Sequence, residues 1–340
     1  MKNLFVHIIC HQLRLVKLFL AGGLLLFAVQ SAAVTNAIDS SQSAQFWLDK
    51  LSHSHRELNY TGTLSFQQGE RMESLSIAHA VIDGQEYERL DYLDGDKRRV
   101  VRRGHKLNCI HAGHHLLRFY SEKTESAKDE NAAAAERLSL NSYYTFAVLN
   151  DSRVAGREAI ELTVTPKDEH RFAYRLTLDK ATGLMLRSEL IGANERVLER
   201  FQYVDINIGN AKPLSYFANS EHGYSSKHHR VSLGETTGDV PDWTVGWLPE
   251  GFTATNKSGA VAGDMLTYTD GLTVFSVFLE LELKDGSLAE GQEQRAQRGA
   301  TTAYSRGLLL EGRAHRVTVV GEIPAITAQL IAKSVVLAAH

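Results

Sequence analysis

Cysteine is nearly absent from this chain, with two residues in 340. Cys10 falls in a segment read below as removed, which leaves Cys109 alone and excludes an internal disulfide in the mature protein. An unpaired Cys109 reads as a small buried apolar side chain in a strand, in preference to a reactive thiol or a link to another chain. Long apolar runs are also missing. The longest, Leu18 to Val29, falls short of the roughly 20 residues that span a bilayer. A surplus of positive charge is missing too, since 37 Lys and Arg stand against 40 Asp and Glu. That balance argues against general nucleic-acid binding, which wants a basic surface.

The chain also lacks the common catalytic signatures. There is no phosphate loop, no dinucleotide fingerprint, no HExxH and no GxSxG elbow. The expectation is therefore a binding protein, not an enzyme, with no cofactor. An exported hydrolase with a nucleophile and base far apart in sequence stays as a minor alternative.

What is present begins with an export signal. Lys2, Arg14 and Lys17 precede the short apolar run, and Ser31-Ala32-Ala33 supplies small residues for cleavage. Residues 1–33 are thus expected to be removed. The mature chain, which loses three basic residues and no acidic one, carries a net charge of about −6. Its length suggests two domains, each with its own core.

A short helix opens the mature chain, with Ser43 as N-cap and Phe46, Trp47 and Leu51 sharing a face. Short β-prone segments follow, at 61–66, 72–80, 98–103, 107–110, 158–164, 171–179, 184–191 and 195–208. Asp83-Gly84 and Asp94-Gly95 mark hairpin turns, as does Thr182-Gly183. Residues 121–137 read as a loop or surface helix. Many strands in meander order with one helix predict an α+β fold, a large antiparallel sheet curved around its helix. Residues 219–240 turn polar and read as a linker. A smaller α+β unit, 241–340, is expected to hold strands at 265–269, 272–283, 303–310 and 313–320. A helix over 324–337 ends it.

Three groups of residues are candidates for a site. His111, His114 and His115, with His228-His229, could ligate a metal, but no acidic or cysteine ligand completes a known spacing, so none is expected. Arg98, Arg99, Arg102 and Arg103 concentrate positive charge in an acidic chain. They read either as a lipid- or anion-binding strand or as a charged edge guarded against pairing. Trp243, Trp247 and Phe252 bracket Leu248-Pro249-Glu250-Gly251. They read either as a partner-binding surface or as the wedge that seals a small core.

A resemblance then emerges from motifs spread along the chain. Tyr60-Thr61-Gly62-Thr63, Glu88-Arg89-Leu90 with Leu93-Asp94-Gly95, Val154-Ala155-Gly156-Arg157 and Pro166-Lys167-Asp168 lie in the first part. Arg171, Tyr174-Arg175-Leu176, Leu178-Asp179 and Thr182-Gly183-Leu184 continue the pattern. Trp247-Leu248-Pro249, Gly251-Phe252, Asp270-Gly271-Leu272, Phe275-Ser276-Val277-Phe278 and Val319-Val320-Gly321-Glu322-Ile323-Pro324 extend it. Together they resemble the RseB/MucB family of periplasmic regulators of the sigma-E envelope-stress response. His170 stands where the family pattern has an aromatic, and Thr177 where it has Trp.

The resemblance implies a half-barrel like that of the lipoprotein carriers LolA and LolB over 34–218, and an anti-sigma-factor-binding domain over 241–340. It implies that the protein holds the periplasmic region of an RseA/MucA-like anti-sigma factor and shields it from the protease DegS. Lipopolysaccharide or mislocalised lipoprotein, through acyl chains, would release it. The rival reading is a periplasmic lipid or lipoprotein carrier of LolA/LolB type, which would need no second domain. Self-association is left open.

Overall fold

The structure is a computed structural model, and it describes residues 44–54, 57–103, 140–218, 243–254, 265–281 and 289–337. The signal segment, Cys109, the five histidines named above, the 107–110 strand, the 121–137 segment and the 219–240 linker lie outside the described residues.

Nine strands form one antiparallel sheet. They are β1 (Tyr60–Gln68), β2 (Arg71–Ile82), β3 (Gln85–Tyr92), β4 (Arg99–Arg103), β5 (Tyr144–Val154), β6 (Arg157–Pro166), β7 (Ala173–Asp179), β8 (Met185–Ile191) and β9 (Val197–Ile208). Their order is β4-β3-β2-β1-β9-β8-β7-β6-β5, so two meanders meet where β9 pairs with β1. The sheet stays open, with β4 and β5 as its edges. Register shifts at Thr63/Leu64, Val148/Asp151, Thr177/Leu178 and Leu190/Ile191 interrupt the ladders. Such bulges increase local twist and bend a sheet.

The expected turns are where the sequence places them. Asp83 and Gly84 both take positive φ between β2 and β3, and Gly95 does so between β3 and β4. Strand β5 was not anticipated. Its ladder shifts register between Val148 and Asp151, leaving Leu149 and Asn150 unpaired, and then continues along β6.

The opening helix, α1 (residues 44–54), lies on the inner face of the sheet. Its buried apolar residues are Ala44, Leu48 and Leu51, at the i, i+4, i+7 spacing of a helical stripe. This corrects the expected face, because Phe46 points to solvent at 60% exposure and Trp47 is only half-buried. The helix is keyed to the β7–β8 turn. Lys50 Nζ donates to the Lys180 carbonyl at 2.7 Å, and Gly183, at φ +81°, lies against the Lys50 backbone. The opposite face of the sheet carries an alternating charge lattice. Arg175 and Arg187 both reach Glu161, and Arg175 and Arg200 both reach Glu189.

A second sheet follows, with the order β11-β12-β13-β16-β15-β14. Its strands are β11 (Thr253–Ala254), β12 (Met265–Thr269), β13 (Val274–Leu281), β14 (Glu293–Arg298), β15 (Thr301–Leu310) and β16 (Arg313–Gly321). Helix α2 (Ala325–Lys333) packs on it through Ala328, Ile331 and Ala332. The expected helix over 324–337 is too long. It stops at Ser334, and Val335–Leu337 form β17, paired with β10 (Trp243–Val245). Two consecutive valines explain the change, since β-branched side chains favour a strand when a partner is offered.

The interdomain seam as candidate functional site

The two sheets are joined by a buried polar seam. It lies at one end of the inner face of the large sheet, where Tyr144, Tyr174 and Glu199 are brought close by the ladders. Tyr174 pairs with Leu190, Leu190 with Glu199, and Glu199 with Gln68, which sets one row across β7, β8, β9 and β1. Into this end the smaller unit inserts turns. Leu272 and Ala300 are fully buried and join the apolar core of the large sheet.

Arg171 is the centre of the seam. Its guanidinium and the carboxylate of Asp270 are both fully withdrawn from solvent, with Nε to Oδ2 at 2.6 Å. The same guanidinium donates to Asp168 and to the Glu250 carbonyl. It lies over the rings of Phe252 at 4.7 Å, Tyr143 at 5.1 Å and Tyr144 at 5.7 Å. Burial alone would lower the Arg171 pKa; the hydrogen bond and charge of Asp270 outweigh it and keep the group cationic.

Asp270 is satisfied on every side. It accepts from Tyr144 Oη at 2.8 Å and from the backbone N–H groups of Leu272 and Thr273. Burial pushes the Tyr144 and Tyr174 hydroxyls well above the usual phenol range, so both remain neutral donors. Further along, Glu199 Oε1 accepts from the Ala300 N–H and from Gln68 Nε2, both at 3.0 Å. At the other flank His170 Nδ1 lies 3.2 Å from Thr327 Oγ1 of α2, and its ring meets Trp247 edge to face. The departure from an aromatic at position 170 is thus met by α2 and Trp247.

The aromatic trio falls on this side of the molecule. Trp243 and Phe252 are buried in the core of the smaller unit, Trp243 opposite Leu337 of β17 and Phe252 under Arg171. Of the two readings of the trio, the core-sealing one describes these two residues, because burial leaves them no surface for a partner. Trp247 is half-buried against His170.

The four arginines sit at the far edge of the large sheet. Arg99 and Arg103 point to one side of β4, with Arg99 on Asp91 at 2.5 Å and Arg103 exposed beside the Tyr87 ring. Arg102 points to the other side and reaches Glu88 at 3.3 Å. Arg98 precedes the strand, lies 3.4 Å over the Tyr92 ring and approaches Glu73. The seam and the basic edge are therefore separate features. Sequence reasoning recognised Arg171 and Asp270-Gly271-Leu272 only as motif letters. Their pairing across 99 positions left no local signal.

Among the described residues no group of three or more His, Cys, Asp or Glu could hold a metal ion. No helix among them is long and apolar enough to cross a membrane.

A large open sheet locked by one buried ion pair to a smaller sheet-and-helix unit defines a two-domain protein, in which the deepest polar groups hold the parts together. Comparison with known proteins fixes the lineage. The MucB/RseB N-terminal domain matches residues 43–223 and the MucB/RseB C-terminal domain residues 237–336. The chain belongs to the MucB/RseB family of regulatory proteins.

Its relatives include the sigma factor AlgU regulatory protein MucB of Pseudomonas aeruginosa, 33% identical over 320 residues, covering 92% of this chain and 95% of that one. The sigma-E factor regulatory protein RseB of Haemophilus influenzae is 27% identical over 322 residues, covering 91% and 96%. Among solved structures, the MucA/MucB complex of Pseudomonas aeruginosa superposes with a TM-score of 0.67 at 32% identity, covering 88% of this chain and all of that chain. MucB in complex with MucA(peri) gives 0.66, again at 32% identity, covering 87% of this chain and 100% of that chain.

Proposed function

We propose that this chain is a periplasmic regulator that binds the periplasmic region of a MucA- or RseA-like anti-sigma factor and shields it from DegS-type proteolysis. The observation that carries the reading is likeness along nearly the whole chain to MucB, which has been solved in complex with MucA. Release by lipopolysaccharide or mislocalised lipoprotein completes the cycle. Residues 1–33 would direct export, and residues 241–340 would carry much of the anti-sigma contact, with Trp247 the aromatic of the trio still within reach of a partner.

The arginine edge supports an anionic lipid signal. Arg103 is exposed and the Arg98 side chain keeps 48% of its surface, so both can reach phosphate. Guanidinium groups grip phosphate through paired hydrogen bonds that lysine cannot copy.

The second reading, a carrier of LolA/LolB type, meets an obstacle in the seam. Leu272 and Ala300 of the smaller unit fill one end of the inner face that a carrier would offer to acyl chains. Calorimetric titration of the mature chain with the anti-sigma periplasmic segment tests the proposal. Saturable binding, slowed DegS cleavage and displacement by lipopolysaccharide are expected. Absence of binding, together with co-purifying lipid seen by mass spectrometry, would favour the carrier.

A further inference from the structure

The outer strands of the two larger sheets are β4, β5, β11 and β14, and β14 differs from the rest. Strand β5 breaks its register at Val148/Asp151, and β11 has two residues. Strand β4 commits Arg99 and Arg102 to carboxylates of β3. Strand β14 keeps an unbroken register with β15, from Glu293 opposite Arg306 to Arg298 opposite Thr301, and all 6 of its residues are exposed. It has no proline and no bulge, two devices that commonly close an edge to a further strand.

The backbone of β14 is arranged for pairing. In an antiparallel ladder, residues that exchange hydrogen bonds alternate with residues whose N–H and C=O point the other way. The Gly307 N–H donates to the Gln292 carbonyl, and the tight turn Gly299-Ala300 joins Arg298 to Thr301. By that alternation Gln294, Ala296 and Arg298 bond β15. The N–H and C=O groups of Glu293, Arg295 and Gln297 face the open edge, where no backbone group among the described residues meets them. The strand is held at both ends. Ala300, at the turn, is fully buried with its N–H on Glu199 Oε1, and Glu293 accepts from Lys333 at 3.1 Å and from Gln329 at 2.9 Å on α2. An edge fixed beforehand loses little freedom when a strand joins it.

Charge selects what can join. Glu293 is engaged by α2, whereas Arg295 and Arg298 have no ion-pair partner among the described residues. Arg295 lies opposite Tyr304 and so shares the α2 side of the sheet. Arg298 falls on the other face, since neighbours along a strand alternate. A strand laid on β14 therefore meets one cation on each face. We propose that β14 is a docking edge for an extended acidic segment of polypeptide, added as a further strand with carboxylates at positions i and i+3 opposite Arg295 and Arg298. Main-chain hydrogen bonds to Glu293, Arg295 and Gln297 supply the affinity, and the two arginines supply the choice of partner. The same arginines discourage neutral or basic edges from pairing there. The edge has this capacity whether or not an anti-sigma segment supplies the strand.

Nitrogen-15 NMR of the full mature chain tests this, with the capped peptide Thr-Glu-Val-Thr-Glu-Val as probe. The amides of Glu293, Arg295 and Gln297 should shift saturably and gain protection from exchange. The peptide with Lys in place of Glu should bind about tenfold more weakly. Methylating alternate backbone nitrogens of the probe should abolish binding in one phase and spare it in the other, because only one set faces β14. The double variant Arg295→Glu with Arg298→Glu, changed at exposed sites, should reverse the preference toward the Lys peptide. Should it fail to fold, Arg295→Gln with Arg298→Gln should take both peptides alike. Equal binding of both methylated probes would reduce the effect to charge attraction and overturn the proposal. So would shifts confined to another surface, an unchanged preference in the variants, or no saturation up to about 5 mM peptide. Shifts of the same amides with protein concentration alone would assign the edge to a second copy of the chain instead.

Discussion

Arg171 Nε donates to Asp270 Oδ2 at 2.6 Å with neither side chain touching solvent, and the bond joins residues 99 positions apart in two different sheets. Removing one partner of such a buried pair strands the other charge, at a cost of about 3–5 kcal/mol. Asp270→Asn should lie at the low end, about 3 kcal/mol, because Asp168 still faces the guanidinium. Adding Arg171→Met should recover part of the loss. Urea denaturation of the single and double variants checks this, and a double variant as unstable as the sum of two singles would show that the pair is not coupled.

Gly183 should not tolerate a side chain. Its φ of +81° is strained for any L residue, and an added Cβ would stand 2.6 Å from Lys50 Cγ and 3.0 Å from the Lys50 carbonyl. Gly183→Ala should destabilise by about 1–3 kcal/mol through strain and displacement of α1. Gly84, with open space around it, should lose less on the same change. Thermal melts of the two variants side by side provide the comparison.

Asp179 should stabilise the fold at neutral pH and lose that contribution in acid. Burial pushes its carboxyl pKa up, but hydrogen bonds from Arg157 and Thr182 outweigh that and hold it below the usual value. A depressed folded pKa gives stability that is fully present above the unfolded value, near 3.9, and is lost as pH falls through the folded one. Asp179→Asn should be less stable than the parent at pH 7. The gap should narrow as pH drops below about 4, read by denaturation at each pH.

The arginine edge should separate into unequal parts. Arg102 faces Glu88 at 3.3 Å, with both side chains largely buried, so Arg102→Gln should cost folding stability before it affects any ligand. Arg103→Gln, at an exposed position, should leave stability unchanged within about 0.5 kcal/mol. Together with Arg98→Gln it should weaken lipopolysaccharide binding more at low salt than at high. Binding of the Arg98/Arg103 double variant equal to the parent at low salt would assign the strand to edge protection alone.

Much of the large sheet was legible because its signals are local. Asp83-Gly84, Asp94-Gly95 and Thr182-Gly183 announced turns that the structure makes, and the strands between them fall within a few residues of expectation. Strand β5 escaped because a bulge at Leu149-Asn150 breaks its alternation. Strand β14 escaped because Glu293–Arg298 is exposed throughout and carries no apolar alternation. The end of α2 escaped because Val335–Leu337 become a strand only when Trp243–Val245 lies alongside.

The sequence by itself determined the family, the order of most elements and the excess of acidic over basic residues. Each of these depends on residue identity and spacing over a few positions. Only the tertiary structure decided which charges are buried and whom they meet. Arg171 and Asp270, or Glu199 and the Ala300 amide, are neighbours because two sheets close on one another. The energy of a buried charge depends on that distant company, and periodicity along a chain carries no record of it.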